Sequence, residues 1–291
     1  MKFFHQKLMK NILDQISSHY SKLTPSQKKV ASYLHNNINE AFLLNSFQIA
    51  KKANVSEATV TRFIRNLGFS GFSEFKKDIA QRVVKDFSTT KRLADSAESL
   101  EGPGSIFAEI LNGDIENIRT LRATISDKLF EEAVKKLCSA RSIYVLGLRS
   151  SYALAFYLAF NLRFFLKKVI LLKPGIGDIP EQVLGVTKDD TLMVISFRRY
   201  TRESFDIAEK IKKKEASVIA ITNSELSPIA KLADVSLIAS TKIPTYIESY
   251  AAPMSLINAL ITSIALRKKD KAISALNKLE NTFEEFQTYI S

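Results

Sequence analysis

The sequence predicts a chain of two parts: an all-α domain at the N-terminus and, beyond a linker, an α/β domain on a parallel five-stranded sheet. Three observations predict it. Apolar residues recur at three- and four-residue steps up to residue 86. The pattern then dissolves between Phe87 and Gly104, where Ser, Thr, Gly and Pro are frequent and apolar residues sparse. Beyond residue 140, short β-branched apolar runs alternate with helical stretches, which indicates parallel strands covered on both faces. The boundaries are therefore expected at 1–86, 87–104 and 105–291, and 291 residues suffice for two cores.

In the first domain Leu8, Met9, Ile12, Leu13 and Ile16 define an amphipathic helix. Thr24-Pro25-Ser26-Gln27 combines a capping box with proline at the first helical position, so a second helix starts there and continues through Val30, Ala31 and Leu34. The stretch from Ser46 to Lys77 reads as two short helices joined by a tight turn, then a third helix after a glycine break. Ser46 is the expected N-cap of the first, with Ile49, Ala50 and Ala53 on its apolar face. Asn54-Val55 makes the turn and Ser56 caps the second helix. There Val60, Phe63, Ile64 and Leu67 share one arc at about 100° per residue, and Gly68 ends the helix. Ala58, Thr59, Thr61, Arg62, Arg65 and Asn66 fall opposite, with no acid among them. Arginine reads guanine edges or phosphates, and Asn and Thr read bases or hold phosphates. A recognition helix of a helix-turn-helix needs such a face; the alternative is an ordinary solvated helix. Lys28 and Lys51, with Ser26 and Lys29, are candidates for phosphate contacts.

Charge points the same way. The formal net charge is +12; Met1 to Thr90 holds 14 Lys/Arg against 6 Asp/Glu, and the remainder 28 against 24. The smaller part thus carries +8 of the excess, which favours a polyanionic partner there.

After the linker, which has at most a helical turn near Leu93, Ile106–Leu121 and Leu129–Leu137 are amphipathic. The strands are expected at Ser142–Leu146, Val169–Leu172, Thr191–Ser196, Ser217–Thr222 and Val235–Ala239, with helices near 150–165, 179–186, 202–214 and 227–232 between them. Two tail helices follow, a strongly apolar one from Ala251 to Leu266 and one from Lys268 to Ile290. The second sets Ile273, Leu276, Leu279, Phe283, Phe286 and Ile290 in a stripe, read as core first and as a subunit contact otherwise.

Ligands of such sheets bind beyond the carboxyl ends of the strands. After the first strand comes Gly147-Leu148-Arg149-Ser150-Ser151, a short turn with two hydroxyls entering a helix, which suits an anion. The alternative is that Ser150 or Ser151 only caps that helix. After the third strand, Ser196 and Thr201 frame Arg198 and Arg199, and a guanidinium pair there favours a phosphate or carboxylate.

The run V-S-x-A-T-V-x-R-F-x-x-x-L-G-F-x-G-F-x-x-F-K (Val55 to Lys76), followed by a parallel α/β domain, resembles the MurR/RpiR transcriptional regulators, whose C-terminal half is a sugar isomerase (SIS) domain. The resemblance covers nearly the whole chain and implies a SIS-like domain with flavodoxin-like layering. It implies a regulator that binds operator DNA and senses a phosphorylated sugar or related anionic metabolite through a Gly-x-x-Ser loop and a Ser-x-Ser-Gly-x-Thr loop, controlling carbohydrate catabolism genes. Gly147, Ser150 and Ser151 take the places of the first loop, and Ser196 and Thr201 the outer places of the second. Arg198 stands where the second serine would be, and Arg199 where the glycine would be. Either the ligand differs from the usual sugar phosphate, or the arginines bind the anion directly, or they fill the site. Glu248 and Ser249 fall where the family places polar residues over the ligand. The resemblance also implies a homodimer or homotetramer.

SIS domains also occur in isomerases and lyases, so an enzyme is the alternative. Moving a proton beside a carbonyl needs a positioned base, commonly Glu or His. All three histidines (His5, His19, His35) lie outside the α/β half. Glu181 and Glu203 are explained as helix-start acids, the former in an Asp178-x-x-Glu capping box, and Glu248 remains. There is no metal-ligand spacing, Walker loop or Ser/His/Asp set, so no catalytic residue and no cofactor are expected. The single cysteine, Cys138, excludes a disulfide framework. The charged start is no signal peptide and no apolar run reaches membrane length, so the cytoplasm is the expected compartment.

Overall fold

Three helices of the N-terminal part begin where side chains replace missing backbone partners. Thr24 Oγ1 accepts from Gln27 N–H (3.3 Å) and Gln27 Oε1 from Thr24 N–H (3.1 Å), which starts α1 (Pro25–Ala41). Asn45, not Ser46, caps α2 (Ser46–Ala53), because Gln48 completes a capping box with Asn45 and leaves Ser46 inside the first turn. Asn54, in the left-handed conformation (φ 52°), turns the chain, and the Ser56 hydroxyl accepts from Thr59 N–H to start α3 (Glu57–Asn66). Gly68 (φ +93°) follows, and Phe72–Asp86 is α4. The glycine-aromatic run after α3 becomes a small cluster: Phe75 is buried, with its ring 5.3 Å from that of Phe69 and 6.1 Å from that of Phe72.

The computed structural model describes residues 20, 23–41, 44–86, 89–99, 103–166, 168–175 and 178–290. The helix expected around 8–16 lies outside them. The chain divides into two units, Met1–Asp95 and Ser96–Ser291. The segment read as linker contains an eleven-residue helix, α5 (Thr89–Ser99), and α6 (Pro103–Thr124) begins before its end.

The second unit continues with α7 (Asp127–Ser139), β1 (Ile143–Gly147), a 3-10 turn at Arg149–Ser151, α8 (Tyr152–Leu162), β2 (Val169–Leu172) and α9 (Ile179–Gln182). Then come β3 (Thr191–Ile195), α10 (Arg202–Lys213), β4 (Ser217–Thr222), α11 (Pro228–Leu232), β5 (Val235–Ile238), α12 (Ala251–Arg267) and α13 (Lys269–Glu285). The strands form one parallel sheet in the order β2-β1-β3-β4-β5. Side chains alternate between its faces. Val145, Met193, Ile195, Ile219 and Leu237 pack with α7, α8 and α12; Leu146, Leu192, Val194, Val218 and Ala220 pack with α9, α10 and α11.

At the amino end of the sheet, buried Asp190 receives Arg141 Nε (3.0 Å), Arg141 Nη2 (2.6 Å) and Thr187 N–H (2.8 Å). Burial alone would raise its carboxyl. The Arg141 and Thr187 hydrogen bonds, with the Arg141 charge, outweigh it and hold the pKa at about 2. Asp178 is the N-cap of α9, but its side chain makes no capping bond there, so the expected capping box does not form.

Among the described residues, α6, α8 and α13 each keep several large apolar residues outside. On α13 only Ala272 is buried, and Ile273, Leu276 and Phe286 (77% exposed) are not the core expected of them. On α6, Phe107, Leu111 and Ile115 are exposed, and on α8, Phe156, Tyr157 and Phe160. The α8 rings form a ladder with centroids 5.8 Å apart (Phe156–Phe160) and 5.2 Å apart (Phe160–Phe164), and Arg163 lies 4.3 Å over Phe160.

Candidate functional site

Helix α3 is held by one face. Val60, Phe63 and Ile64 are buried, while Ser56, Arg62, Arg65 and Asn66 are exposed and Thr59 and Thr61 half-buried. Several of these polar groups are already oriented by the helix. Ser56 Oγ and Thr59 Oγ1 share a hydrogen bond (2.9 Å), Thr61 Oγ1 donates to Glu57 O (3.2 Å), and Arg62 Nε donates to Ala58 O (3.3 Å). The first turn also carries an acid. Glu57 is exposed and accepts from Ser46 Oγ, which ties α2 to α3. Lys51 is exposed in the last turn of α2, and the Lys28 ammonium lies 5.4 Å over the Tyr20 ring. A basic, hydroxyl-bearing helix face behind a tight turn can enter a major groove.

The second candidate lies at the carboxyl ends of β1 and β3. Strand order reverses there, since β1 is followed in the sheet by β2 on one side and β3 on the other. Gly147 and Ile195 are paired in register, so the loops that follow them lie side by side. Gly147 has no room for a side chain: a Cβ would sit 2.5 Å from Ser151 O and 2.8 Å from Ala155 Cβ. That close approach lets α8 start directly behind the strand.

Neither serine caps α8; Ser151, at its N-cap, is buried and makes no side-chain capping bond. Ser150 instead shares a hydrogen bond with Tyr250 Oη (2.8 Å). In the second loop Ser196 is buried and Thr201 acts as N-cap of α10, accepting from Ser204 N–H (3.3 Å) and donating to Ser204 Oγ (2.7 Å). Phe197 meets the Tyr250 ring at 5.4 Å, and Tyr200 Oη donates to Asn223 Oδ1 (3.0 Å). Arg198 is half-buried, and Arg149 and Arg199 are exposed. The last two adopt left-handed backbone, φ 54° and 66°. Each loop thus spends roughly 1–2 kcal/mol holding an arginine in a conformation suited to glycine. Such strain concentrates at ligand sites, and three guanidinium groups beside backbone N–H donors can hold an anion.

Glu248 accepts from Thr241 Oγ1, Ser249 donates to Asp114, and the residue that reaches both loops is Tyr250. No spacing rule marked Tyr250, because it lies 100 positions from Ser150. Among the described residues no group of His, Cys, Asp and Glu is placed to hold a metal, and no helix is long and apolar enough to cross a membrane.

Residues 10–86 match the family model of the helix-turn-helix domain, rpiR family, and residues 136–263 that of the SIS domain. Among similar proteins, the HTH-type transcriptional regulator HexR of Pseudomonas aeruginosa is 28% identical over 270 residues, covering 89% of this chain and 91% of that one. HexR of Escherichia coli is 26% identical over 279 residues (94% and 95%). Among solved structures, the sugar isomerase domain of an RpiR transcription factor from Sphaerobacter thermophilus superposes with a TM-score of 0.57 at 24% identity, covering 60% of this chain and 97% of that one. The Vibrio vulnificus NanR protein complexed with ManNAc-6P gives 0.58 at 20% identity (93% and 98%).

Proposed function

The chain belongs to the RpiR family of helix-turn-helix transcriptional regulators with a SIS domain, and from that premise we propose that an anionic sugar derivative, a sugar phosphate first, binds its two strand-end loops and controls operator binding. The observation that carries the ligand reading is the pairing of the two loops at the β1/β3 switch point with Arg149, Arg198 and Arg199 on them. The ManNAc-6P complex of NanR, a protein of the same fold, supports the choice of a phosphorylated sugar. The relatives named HexR are regulators, and this chain is a regulator and not an enzyme.

In this reading Thr59, Thr61, Arg62, Arg65 and Asn66 face the major groove, Ser56 secures the helix start, and Lys28 and Lys51 contact phosphates. Two copies associate through the exposed apolar faces of α8 and α13 and present paired recognition helices to a two-fold operator in the cytoplasm. The controlled genes serve carbohydrate catabolism. The ligand acts by binding two arrangements of the protein with unequal affinity.

Paired variants test the two halves. Arg62→Ala is expected to cost about 1–3 kcal/mol of specific operator binding in a gel shift; unchanged affinity and sequence preference would remove α3 as the reader. Arg198→Ala is expected to abolish thermal stabilisation by sugar phosphates while operator binding persists; a wild-type shift would move the ligand elsewhere.

A further inference from the structure

The strap between β5 and α12, residues 240–250, is fastened at two places. One is α6. There the Asn117 side chain, 3% exposed, donates from Nδ2 to Lys242 O (3.0 Å) and accepts at Oδ1 from Ser240 Oγ (2.6 Å) and Lys242 N–H (3.2 Å). Nearby on α6, Asp114 accepts from Ser249 Oγ, which itself accepts from Ala251 N–H at 3.2 Å. Gly113 lies so close that a Cβ would sit 2.9 Å from Ile243 Cγ2. The strap also closes on itself, Thr241 Oγ1 donating to Glu248 and Ser249 N–H to Thr241 O (3.0 Å). The second fastening is Tyr250, whose hydroxyl meets Ser150 in the first loop and whose ring meets Phe197 in the second.

The two fastenings differ in kind. Ser150 is exposed, so its hydroxyl is within reach of an anion in the first loop that would compete with Tyr250 for it. Asn117 is buried with three bonds to the strap, and breaking them leaves polar atoms unpaired away from water. The strap therefore has an exchangeable end at the loops and a fixed end on α6. That helix is the first lying wholly in the α/β unit, after the segment that leads from the DNA-binding helices.

We infer that Asn117 is the positioning residue that couples occupancy of the loops to α6: an anion that takes Ser150 from Tyr250 releases one end of the strap, and the strap, held at Asn117, carries the change into α6. The inference rests on the reading that the loops bind an anion. Linkage then requires the ligand to favour the released arrangement by its own differential affinity.

The test is hydrogen exchange on the full chain with and without inorganic phosphate, read at residues 148–152 and 108–121. In the wild type, phosphate changes exchange in both segments. In Asn117→Ala the first segment still responds and the second responds less, the Ser249 bond to Asp114 being kept. Ser240→Ala removes one of the three bonds without touching α6, and gives a reduced α6 response even where Asn117→Ala fails to fold. Tyr250→Phe keeps the ring and loses the hydroxyl, so α6 shows the phosphate-bound rate before phosphate is added. A full-sized α6 response in Ser240→Ala, or a wild-type ligand-free rate in Tyr250→Phe, overturns the coupling. A wild type whose residues 148–152 respond while 108–121 do not also overturns it. A wild type in which phosphate leaves 148–152 unchanged overturns the anion reading, and the coupling with it.

Discussion

Arg199 holds a backbone conformation that glycine holds at lower cost (φ 66°). The left-handed penalty for a side chain is about 1–2 kcal/mol, offset in part by the roughly 0.5–1 kcal/mol of extra entropy a glycine loses on folding. Arg199→Gly is therefore expected to raise stability in urea unfolding by up to about 1 kcal/mol and to weaken phosphate binding. Stronger binding would mean that the arginine obstructs the loop. Asp190 provides a second test at this scale. Its folded pKa of about 2 lies below the ordinary aspartate value of about 3.9, so the carboxylate stabilises the native state at neutral pH. That contribution, on the order of 2–3 kcal/mol, is present above pH 5 and lost as pH falls toward 2; Asp190→Asn should flatten the acid limb of stability against pH. At single residues the sequence was legible where chemistry is local. The arginines in the second loop, the glycine at the β1 end and the turn at Asn54 are all visible in a short window. Asn117 and Tyr250 were not, because their partners lie 125 and 100 positions away.

The strands were legible almost to the residue, since continuous apolar runs between helices allow little else. Helix starts were less so. Asn45 and Ser46 are both good caps, and the choice falls to the position whose third following residue is glutamine. The stretch 89–99 reads as linker by composition, yet it contains no glycine or proline to interrupt α5. The tail helix departs from the core expected of its stripe and leaves the subunit-contact alternative open. Its stripe has helical spacing, but periodicity says only that a face is apolar, not what covers it. A second copy is the occupant proposed here. Leu276→Asp on that exposed face should change monomer stability by less than about 0.5 kcal/mol. It should also shift sedimentation toward the monomer; an unchanged assembly would assign the stripe another role.

Across the whole molecule, charge and chemistry are divided between the units. The first ninety residues carry +8 and the recognition face, while the larger part carries +4 and the loops. The family models match at residues 10–86 in the smaller part and at residues 136–263 in the larger. What the sequence left open is how the loops are read, because the strap that joins them to α6 is assembled only on folding. The histidine distribution has a further consequence. All three histidines lie in the first 35 residues, so no imidazole in the α/β half gains charge near neutrality. The cations of the loops are guanidinium groups, not imidazoles. A phosphate ester, by contrast, loses its second proton near pH 6. Ligand affinity is thus expected to climb from about pH 5 to 7 and then level off in calorimetric titrations, and acidification would reach this regulator through the protonation state of its metabolite rather than through its own side chains.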